Sequence, residues 1–393
     1  MDISDLRVAL FSGNYNYTRD GANQALNRLV GSLLAKGAKV RVYSPKVANP
    51  DFAPTGDLVG VPNVPMPVKG RGEYRMPTHL GAAVKRDLEA FAPNIVHLSS
   101  PDPSGHAALR WAHERGIPVL ASVHTRFETY PRYYKMAFLE PLIVRILRRF
   151  YNRCDALVAP SQSMIDELAA MGMHDRIGLW SRGVDRTIFS SARRDPDWRR
   201  SMGLADNDVA IVFLGRLVME KGLDVFAESI VRLRQAGVPH KVLVIGDGPA
   251  RGWFETNLPG AVFAGFKTGD DLGQALASGD VFFNPSVTET FGNVTLEAMA
   301  SGLPVVAAGA TGSASLVADK VTGRLVVPSG SNDRDAAAFA DVLAPYCADP
   351  ALRAAHGAAG ETRACEFGWE AINAVVADTY VQLVEERRAA KAA

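Results

Sequence analysis

Short runs of β-branched and other apolar residues recur along the whole chain, and each is followed by a longer stretch with helical spacing. Nearly continuous apolar strands separated by helices indicate parallel sheets that are covered on both faces. In the first half the predicted strands are LRVALF (6–11), KVRVY (39–43), NIVHL (94–98), PVLASV (118–123) and DALVAP (155–160). In the second half they are VAIVFLG (209–215), KVLVIG (241–246), AVFAGF (261–266), DVFFNP (280–285) and PVVAAG (304–309).

A polar, charged stretch over residues 181–208 interrupts this pattern, and we interpret it as an interdomain linker with the entry to a second domain. A chain of 393 residues is also too long for one comfortable core. The sequence therefore predicts two doubly wound α/β domains, residues 1–185 and 186–365, followed by a C-terminal helix over 366–393. Open sheets of this kind bind ligands beyond the carboxyl ends of their strands, which directs attention to the loops there.

Composition excludes several classes of function. The formal net charge is +1, so no overall field attracts nucleic acid. The three cysteines are widely spaced and odd in number, which argues against a disulfide framework and against a zinc site. The first ten residues, MDISDLRVAL, do not resemble a signal peptide, and no apolar run approaches the roughly 18–20 residues that cross a bilayer. We therefore expect a cytoplasmic protein.

The loop GRLVMEKG (215–222) follows a predicted strand and carries two cations. Gly215 allows a tight exit from the strand, and Arg216 and Lys221 stand at the head of the next helix, where free N–H groups favour an anion. A guanidinium and an ammonium group together suit a diphosphate. The alternative is a solvated turn with a Glu220–Lys221 surface pair.

A second loop, NPSVTETFGNVTLEAMASGLPVVA (284–307), combines two carboxylates with a helix start. Glu289 precedes a turn at Gly292, and Glu297 lies about one turn inside a predicted helix over 293–300. Carboxylates accept hydrogen bonds from sugar hydroxyls, and the helix start receives phosphate oxygens. In the alternative interpretation, both glutamates are solvated and Glu289 merely complements the helix dipole.

Taken together, these motifs resemble the retaining glycosyltransferases of family 4, which have the GT-B fold of two Rossmann-like α/β domains facing across a cleft. GRLVMEKG is followed about 70 residues later by ETFGNVTLEAMASGLPVV, with GDGP (246–249) between them. The E-x7-E spacing and the AMASGLPVV tail also match, and the resemblance covers nearly the whole chain.

The resemblance implies roles for particular residues. Arg216 and Lys221 would hold the diphosphate of a nucleotide sugar and stabilise the leaving nucleotide. Glu289 would contact the transferred sugar, and Glu297 the ribose. The set implied for catalysis is Arg216, Lys221, Glu289 and His124. The set implied for donor binding is Gly21, Gly215, Gly265, Phe266, Phe291, Gly292, Asn293 and Glu297.

In the first domain, HTRFETY (124–130) follows a predicted strand, and His124 resembles the family's histidine near the donor sugar. Arg126, Glu128 and Tyr130 are candidates for the acceptor side. The first loop, SGNYNYTRDGANQAL (12–26), has single glycines rather than the common double glycine. It is similar to a subgroup that includes lipid mannosyl- and sulfoquinovosyltransferases, and this departure leaves the donor sugar open.

The implied mechanism is transfer with retention, in which the acceptor hydroxyl attacks on the face that the nucleotide leaves. The catalytic demand then falls on stabilising the diphosphate rather than on a protein nucleophile. Neither a metal nor a cofactor is expected, since the nucleotide sugar is itself a substrate. In this fold the last helix often returns to the first domain, and we expect the same here.

The segment PRYYKMAFLEPLIVRILRRFYNRCD (131–155) suggests where the acceptor is found. Between 132 and 153 it holds six cations and one acid. We expect four arginines opposite an apolar helical stripe: Arg145, Arg148, Arg149 and Arg153. Members of that stripe are Phe138, Leu139, Leu142, Ile143, Ile146, Leu147, Phe150 and Tyr151. Such a helix suits an anionic membrane face. The alternative is an ordinary helix packed on a sheet.

Two functional hypotheses follow. One is a retaining glycosyltransferase, peripheral at the inner membrane face, that acts on a lipid or lipid-linked acceptor. The other is a protein of the same fold that acts on a soluble acceptor, or that binds a nucleotide sugar without transfer. The sequence leaves open UDP against GDP, the sugar, the acceptor and the oligomeric state.

Overall fold

The computed structural model describes residues 1–18, 20–66, 74–127 and 137–392. The chain forms two compact units. The first unit comprises Met1–Arg182 together with Trp369–Ala393, and the second comprises Gly183–Gly368. The chain thus leaves the first unit at Arg182, and its last helix belongs to that unit.

The first unit contains a parallel sheet of seven described strands in the order β3-β2-β1-β6-β7-β8-β9. A short antiparallel hairpin, β4-β5, accompanies it. The strands are β1 (Arg7–Phe11), β2 (Lys39–Ser44), β3 (Asp57–Gly60), β4 (Asn63–Pro65), β5 (Arg75–Pro77), β6 (Ile95–Leu98), β7 (Val119–Ser122), β8 (Ala156–Ala159) and β9 (Ile177–Leu179).

The second unit contains a parallel sheet of six described strands in the order β12-β11-β10-β13-β14-β15. Its strands are β10 (Ala210–Leu214), β11 (Lys241–Ile245), β12 (Val262–Gly265), β13 (Val281–Asn284), β14 (Val305–Ala308) and β15 (Gly323–Val326). Buried apolar side chains cover both faces of this sheet, as a parallel sheet requires.

Helices connect the strands of both sheets. The α-helices of the described residues are α1 (Gly21–Ala35), α2 (Ala82–Phe91), α3 (Pro103–Glu114), α4 (Glu140–Tyr151), α5 (Gln162–Ala170), α6 (Pro196–Ser201), α7 (Leu223–Gln235), α8 (Arg251–Asn257), α9 (Gly269–Ala277), α10 (Asn293–Ala300), α11 (Thr311–Leu316), α12 (Asn332–Ala348), α13 (Pro350–Ala364) and α14 (Trp369–Ala392). Single 3-10 turns occur at Ile3–Asp5, Ala137–Leu139, Ser191–Arg193 and Met219–Lys221.

The predicted α/β class with two parallel sheets is confirmed, and every predicted strand is present within a residue or two of its predicted ends. Five further strands have no counterpart in the prediction: β4 and β5 of the short hairpin, and β3, β9 and β15 of the parallel sheets. The last three each lie at an edge of their sheet, and their sequences DLVG, IGL and GRLV are too short or too polar to form an apolar run. Edge strands have one paired side, so they need less apolar sequence.

The units divide after Arg182, so most of residues 181–208 form the entry to the second unit rather than a linker. Helix α6 lies within them, and the Arg199 side chain is 1% exposed. Its guanidinium donates to the Ser278 carbonyl at 2.6 Å and to the Asp280 carboxylate at 3.0 Å. A buried charge needs such partners, so this stretch is packed into the second unit.

Helix α4 differs from its prediction. Leu147, Phe150 and Tyr151 are buried as expected, but three residues of the predicted stripe are exposed. Phe138 is 77% exposed, Leu142 50% and Ile146 47%. The predicted apolar stripe is therefore covered only in part, with Leu147, Phe150 and Tyr151 in the core of the first unit. Among the described residues no helix is long and apolar enough to cross a bilayer.

Candidate active site

In the second sheet, the order in which successive strands are added reverses between β10 and β13. These two strands are neighbours, with Ile211 opposite Val281, whereas β11 follows β10 on its other side. At such a switch point the loops that leave the two strands diverge and open a crevice at their carboxyl ends. The loops after β10 and β13 are the two that the sequence singled out.

The loop after β10 is anchored by one buried side chain and one glycine. Leu217 is fully buried, and Gly222 has φ +72°. A Cβ atom on Gly222 would lie 3.2 Å from the Pro285 carbonyl oxygen, so the loop approaches the β13 loop closely. Arg216, just before Leu217, is exposed, and Lys221, just before Gly222, is half-buried. The close approach at Gly222 thus brings Lys221 of one loop near the carboxylate of the other.

Lys221 and Glu289 are in direct contact. The Lys221 Nζ donates to Glu289 Oε1 at 2.6 Å, and the side chains are 31% and 14% exposed. A second bond joins the loops, from the Thr288 hydroxyl to the Glu220 carbonyl at 3.2 Å. The alternative Glu220–Lys221 surface pair is thus replaced by a contact between two loops 68 residues apart in sequence.

The same crevice receives the N-terminus of α10. Gly292 takes the N-cap position with φ +92°, and no side chain of the described residues caps this helix. The first N–H groups of α10, from Asn293 onward, therefore keep the partial positive charge that attracts anions. Phe291 is buried against Phe367, which fixes the approach to the helix. Glu297 lies half-buried one turn into α10.

Three glycines pack the neighbouring strand ends. A Cβ atom on Gly246 would lie 2.0 Å from the Gly215 carbonyl oxygen, and one on Gly248 would lie 2.5 Å from the Leu217 carbonyl oxygen. Both positions exclude any side chain, so their requirement for glycine comes from backbone packing. Gly265 has φ +73°, and its carbonyl accepts from the Gly246 N–H at 2.9 Å. Phe266 follows it with 67% exposure, which leaves its ring open to a ligand.

In the first unit, His124 stands two residues after β7, at the carboxyl end of that strand. Its Nε2 lies 2.7 Å from the Ser122 Oγ, and its Nδ1 lies 2.7 Å from the Arg182 Nη2. Burial and the neighbouring Arg182 charge lower the pKa of His124 well below its ordinary value. The ring is therefore neutral at physiological pH. Its predicted catalytic role stays a prediction.

Gly21 is the first residue of α1, and Asp20 caps that helix. Asp20 Oδ1 accepts from the N–H groups of Ala22 at 2.9 Å and Asn23 at 2.8 Å. Burial raises the pKa of Asp20, against the lowering effect of these bonds. The helix start predicted to contribute to donor binding thus already carries a carboxylate on two of its N–H groups.

The acceptor-side candidates are only partly described. Arg126 forms an ion pair with Glu167 at 2.7 Å, which ties it to α5. Glu128 and Tyr130 lie outside the described residues, so nothing is said of their structure. Arg145, Arg148 and Arg149 are exposed on α4. In the described part of the chain, no cluster of His, Cys, Asp or Glu is placed to hold a metal ion.

Sequence reasoning missed Arg182 and Ser122, which contact the two ring nitrogens of His124. Ser122 is a small polar residue at the end of the otherwise apolar strand β7, which is a weak signal. Arg182 is 58 residues distant from His124, and no spacing rule joins them. An arginine in a polar stretch is ordinarily expected at the surface, but this one is 4% exposed.

Two family descriptions match this chain. Residues 19–187 match Glycosyltransferase Family 4, and residues 208–349 match Glycosyl transferases group 1. A GDP-mannose-dependent alpha-mannosyltransferase of Mycolicibacterium smegmatis is 33% identical over 332 residues, which covers 83% of this chain and 85% of that protein. Sulfoquinovosyl transferase SQD2 of Arabidopsis thaliana is 34% identical over 251 residues, 62% of this chain and 48% of that protein.

Solved structures with the same fold cover nearly the whole chain. Sucrose-phosphate synthase from Thermosynechococcus elongatus aligns with a TM-score of 0.78 at 20% identity, covering 96% of this chain and 99% of that one. An Anabaena protein solved with UDP and glucose aligns with a TM-score of 0.71 at 18% identity, covering 95% and 99%. At these identities the likeness concerns the fold.

Proposed function

The chain belongs to glycosyltransferase family 4, and from that membership we propose that it transfers a sugar, with retention, from a UDP- or GDP-linked donor to a hydroxyl of a membrane lipid or lipid-linked glycan. The Lys221–Glu289 contact at the switch point of the second sheet carries this proposal, because it brings a diphosphate cation to a carboxylate suited to sugar hydroxyls.

The second unit has the chemistry that a nucleoside diphosphate sugar needs. Arg216 is exposed at the end of β10, Lys221 stands one short loop further on, and the uncapped start of α10 lies at the neighbouring strand. Two full charges and a helix N-terminus together offset the charge that develops on a departing diphosphate. We assign the diphosphate to these three groups.

Donor binding changes the partners of Lys221. In the structure its ammonium group is neutralised by Glu289. We propose that the diphosphate takes over this cation, which frees a Glu289 carboxylate oxygen to accept from a hydroxyl of the donor sugar. Glu297 accepts from the ribose, and the exposed Phe266 lies beside the base. The acceptor hydroxyl then attacks the anomeric carbon as the bond from that carbon to the diphosphate breaks. A phosphate oxygen of the leaving nucleotide takes up the proton of the acceptor hydroxyl.

The proposal of a lipid acceptor is based on the exposed face of α4 in the first unit. Leu142 and Ile146 are about half exposed, and Arg145 and Arg149 are exposed on the same helix. A water-exposed surface that mixes large apolar and cationic side chains fits the headgroup region of an anionic bilayer. Each nearby cation contributes about 1 kcal/mol at such a surface.

Nucleotide release tests the activity. The chain is incubated with GDP-mannose, which the Mycolicibacterium relative's name specifies, and with a panel of other GDP and UDP sugars, with and without membrane extract. We expect one donor to release its nucleotide faster when extract is present, and the anomeric configuration of the product to match the donor. Release that depends only on water-soluble extract supports the soluble acceptor instead. Binding of a donor without release in any extract identifies a nucleotide-sugar-binding protein.

Liposome sedimentation tests the membrane contact. We expect binding to vesicles with anionic lipid at physiological salt, and at least a fivefold loss of bound protein in a Leu142→Ser/Ile146→Ser variant. A matched control, Val321→Ser/Val327→Ser, removes from the second unit two apolar side chains that are more exposed, at 56% and 80%. Equal binding to neutral and anionic vesicles, or equal loss in both variants, contradicts the assignment of this face to the membrane.

A further inference from the structure

A row of five polar side chains runs through the first unit and ends at His124. The Tyr380 hydroxyl contacts His97 Nδ1, and His97 Nε2 lies 2.7 Å from Ser122 Oγ. Ser122 Oγ is in turn 2.7 Å from His124 Nε2, and His124 Nδ1 is 2.7 Å from Arg182 Nη2. Apart from the half-buried His124, these side chains are at most 4% exposed. The row thus links the C-terminal helix α14, which carries Tyr380, to strands β6 and β7 and to Arg182.

The direction of the hydrogen bonds is set at the arginine. A guanidinium group only donates, so His124 Nδ1 must accept, and the proton of the neutral ring lies on Nε2. His124 Nε2 therefore donates to Ser122. The single hydroxyl hydrogen of Ser122 is then available for its other partner, His97 Nε2. His97 donates from Nδ1 to Tyr380.

The charges around His124 favour the same state. Among the described residues, Arg182 and His97 are titratable groups whose charge lowers the pKa of His124. Burial lowers the pKa of His97 to about 3, so that ring is also neutral. Arg182 keeps its charge, because even the pKa of about 10 that burial leaves it lies above physiological pH. Asp20 is the acid whose charge supports it. A proton on His124 Nδ1 would point at a fixed cation.

Trp180 closes the side of this arrangement. Its ring is 1% exposed and lies edge-on to His124, with centroids 5.4 Å apart, and Arg182 lies over the same indole. The Arg182 guanidinium also donates to the Trp180 carbonyl at 3.0 Å. Both partners of the His124–Arg182 bond are therefore held from more than one direction, which limits rotation of the imidazole.

We propose that Arg182 is a positioning residue for sugar transfer, which holds His124 as a neutral ring with its proton on Nε2, so that the ring does not exchange protons with substrate. The role in sugar transfer rests on the proposed function. The protonation state of the ring is a property of the protein alone. It assigns His124 no part as a general base.

Nitrogen NMR of the full chain, labelled with 15N-histidine, tests the state of the ring without any substrate. We expect His124 to show an unprotonated Nδ1 and a protonated Nε2 between pH 5.5 and 8, with its signals assigned by their loss in His124→Asn. A protonated Nδ1, or titration of the ring within that range, overturns the proposal.

Variants separate Arg182 from the rest of the row. In Arg182→Met we expect the pKa of His124 to rise while burial still holds it below its ordinary value, and we expect the ring to populate both neutral tautomers. Ser122→Ala removes the other ring contact without removing a charge, and Tyr380→Phe removes only the far hydroxyl. Both should leave the His124 Nδ1 unprotonated, because the arginine still donates to it. Loss of the tautomer in Ser122→Ala would show that the arginine does not set it.

The rate gives the second readout. Relative to the wild type, kcat of Arg182→Met should fall by a larger factor at pH 5.5 than at pH 7.5, and Arg182→Lys, which also only donates, should restore most of the difference. A purely structural role lowers kcat by the same factor at both pH values and overturns the positioning claim. If Arg182→Met does not fold, the wild-type NMR spectrum still tests the protonation state of His124, and the pH dependence of kcat in Arg182→Lys still tests the positioning role. An inactive wild type with the expected spectrum would refute the proposed function but not the ring state.

Discussion

Replacing Lys221 by methionine separates a donor-binding cation from an ordinary surface ion pair. The Lys221 side chain is 31% exposed and bonds to Glu289 at 2.6 Å. Surface ion pairs contribute about 0–1 kcal/mol to stability, and Lys221 keeps about a third of its side chain in solvent, so the free energy of unfolding should change little. Two unit charges 4 Å apart interact by about 4 kcal/mol at an effective dielectric constant near 20. A cation on a developing diphosphate charge is therefore worth much more to the barrier than to the fold.

The expected result is a drop in kcat of roughly 10²–10³, the range observed when one preorganised group that stabilises the transition state is removed. Initial rates of nucleotide release measure kcat, and denaturant unfolding measures stability on the same samples. Arg324→Met is the matched control, because Arg324 is 36% exposed and pairs with Asp319 at 3.1 Å on the same sheet. It should lose comparable stability and no activity.

The partner carboxylate supplies a second check. In Lys221→Met the Glu289 charge is left beside the diphosphate, so affinity for UDP or GDP should fall. Adding Glu289→Gln to that variant removes the repulsion, and nucleotide affinity should recover at least threefold while kcat stays low. A Lys221→Met enzyme with a kcat less than tenfold below wild type would refute the diphosphate assignment. So would equal losses in the Arg324 control, or strictly additive effects of the two substitutions on affinity.

The remaining predictions concern single positions. Arg216→Met should lower kcat at least tenfold in the nucleotide-release assay with an unchanged melting temperature, and near-wild-type turnover would contradict its role. Gly246→Ala should cost about 1–3 kcal/mol of unfolding free energy, because the new Cβ would lie 2.0 Å from the Gly215 carbonyl oxygen; denaturant unfolding measures this, and an unchanged midpoint would contradict it. His97 stays neutral in the fold down to a pKa of about 3, whereas in the unfolded chain it takes up a proton below about pH 6.5. Stability should therefore fall with decreasing pH, and between pH 6 and 4.5 it should fall by about 1.4 kcal/mol per pH unit more in the wild type than in His97→Gln; equal slopes would show that burial does not shift this group.

Much of the fold could be predicted from local pattern. A central strand of a parallel sheet is buried on both faces, so its apolar run is visible in sequence, as in VAIVFLG and KVLVIG. Strand β9 has only the residues Ile177–Leu179 and one strand neighbour, and therefore leaves almost no such signal. The exposure of Leu142 and Ile146 could not be predicted either, because helical spacing shows which residues share a face of the helix but not which neighbouring element covers that face.

The candidate donor site lies between these cases. Each loop could be found because it follows a recognisable strand, and Gly292 marked the start of α10. That Lys221 reaches Glu289 depends on β10 and β13 being neighbours, a fact of sheet order. The exclusion of side chains at Gly246 likewise depends on the approach of the Gly215 backbone from another strand.

By itself the sequence determined the two parallel sheets, the strand ends that carry chemistry and the residue types found there, since these depend on interactions within a few residues. Tertiary structure decided which of those ends meet. It paired Lys221 with Glu289, turned part of the α4 apolar stripe to solvent and buried Arg182 against His124. Hydrogen bonds and burial act over a few ångströms in space, and the residues that they join here are 58 to 68 positions apart along the chain.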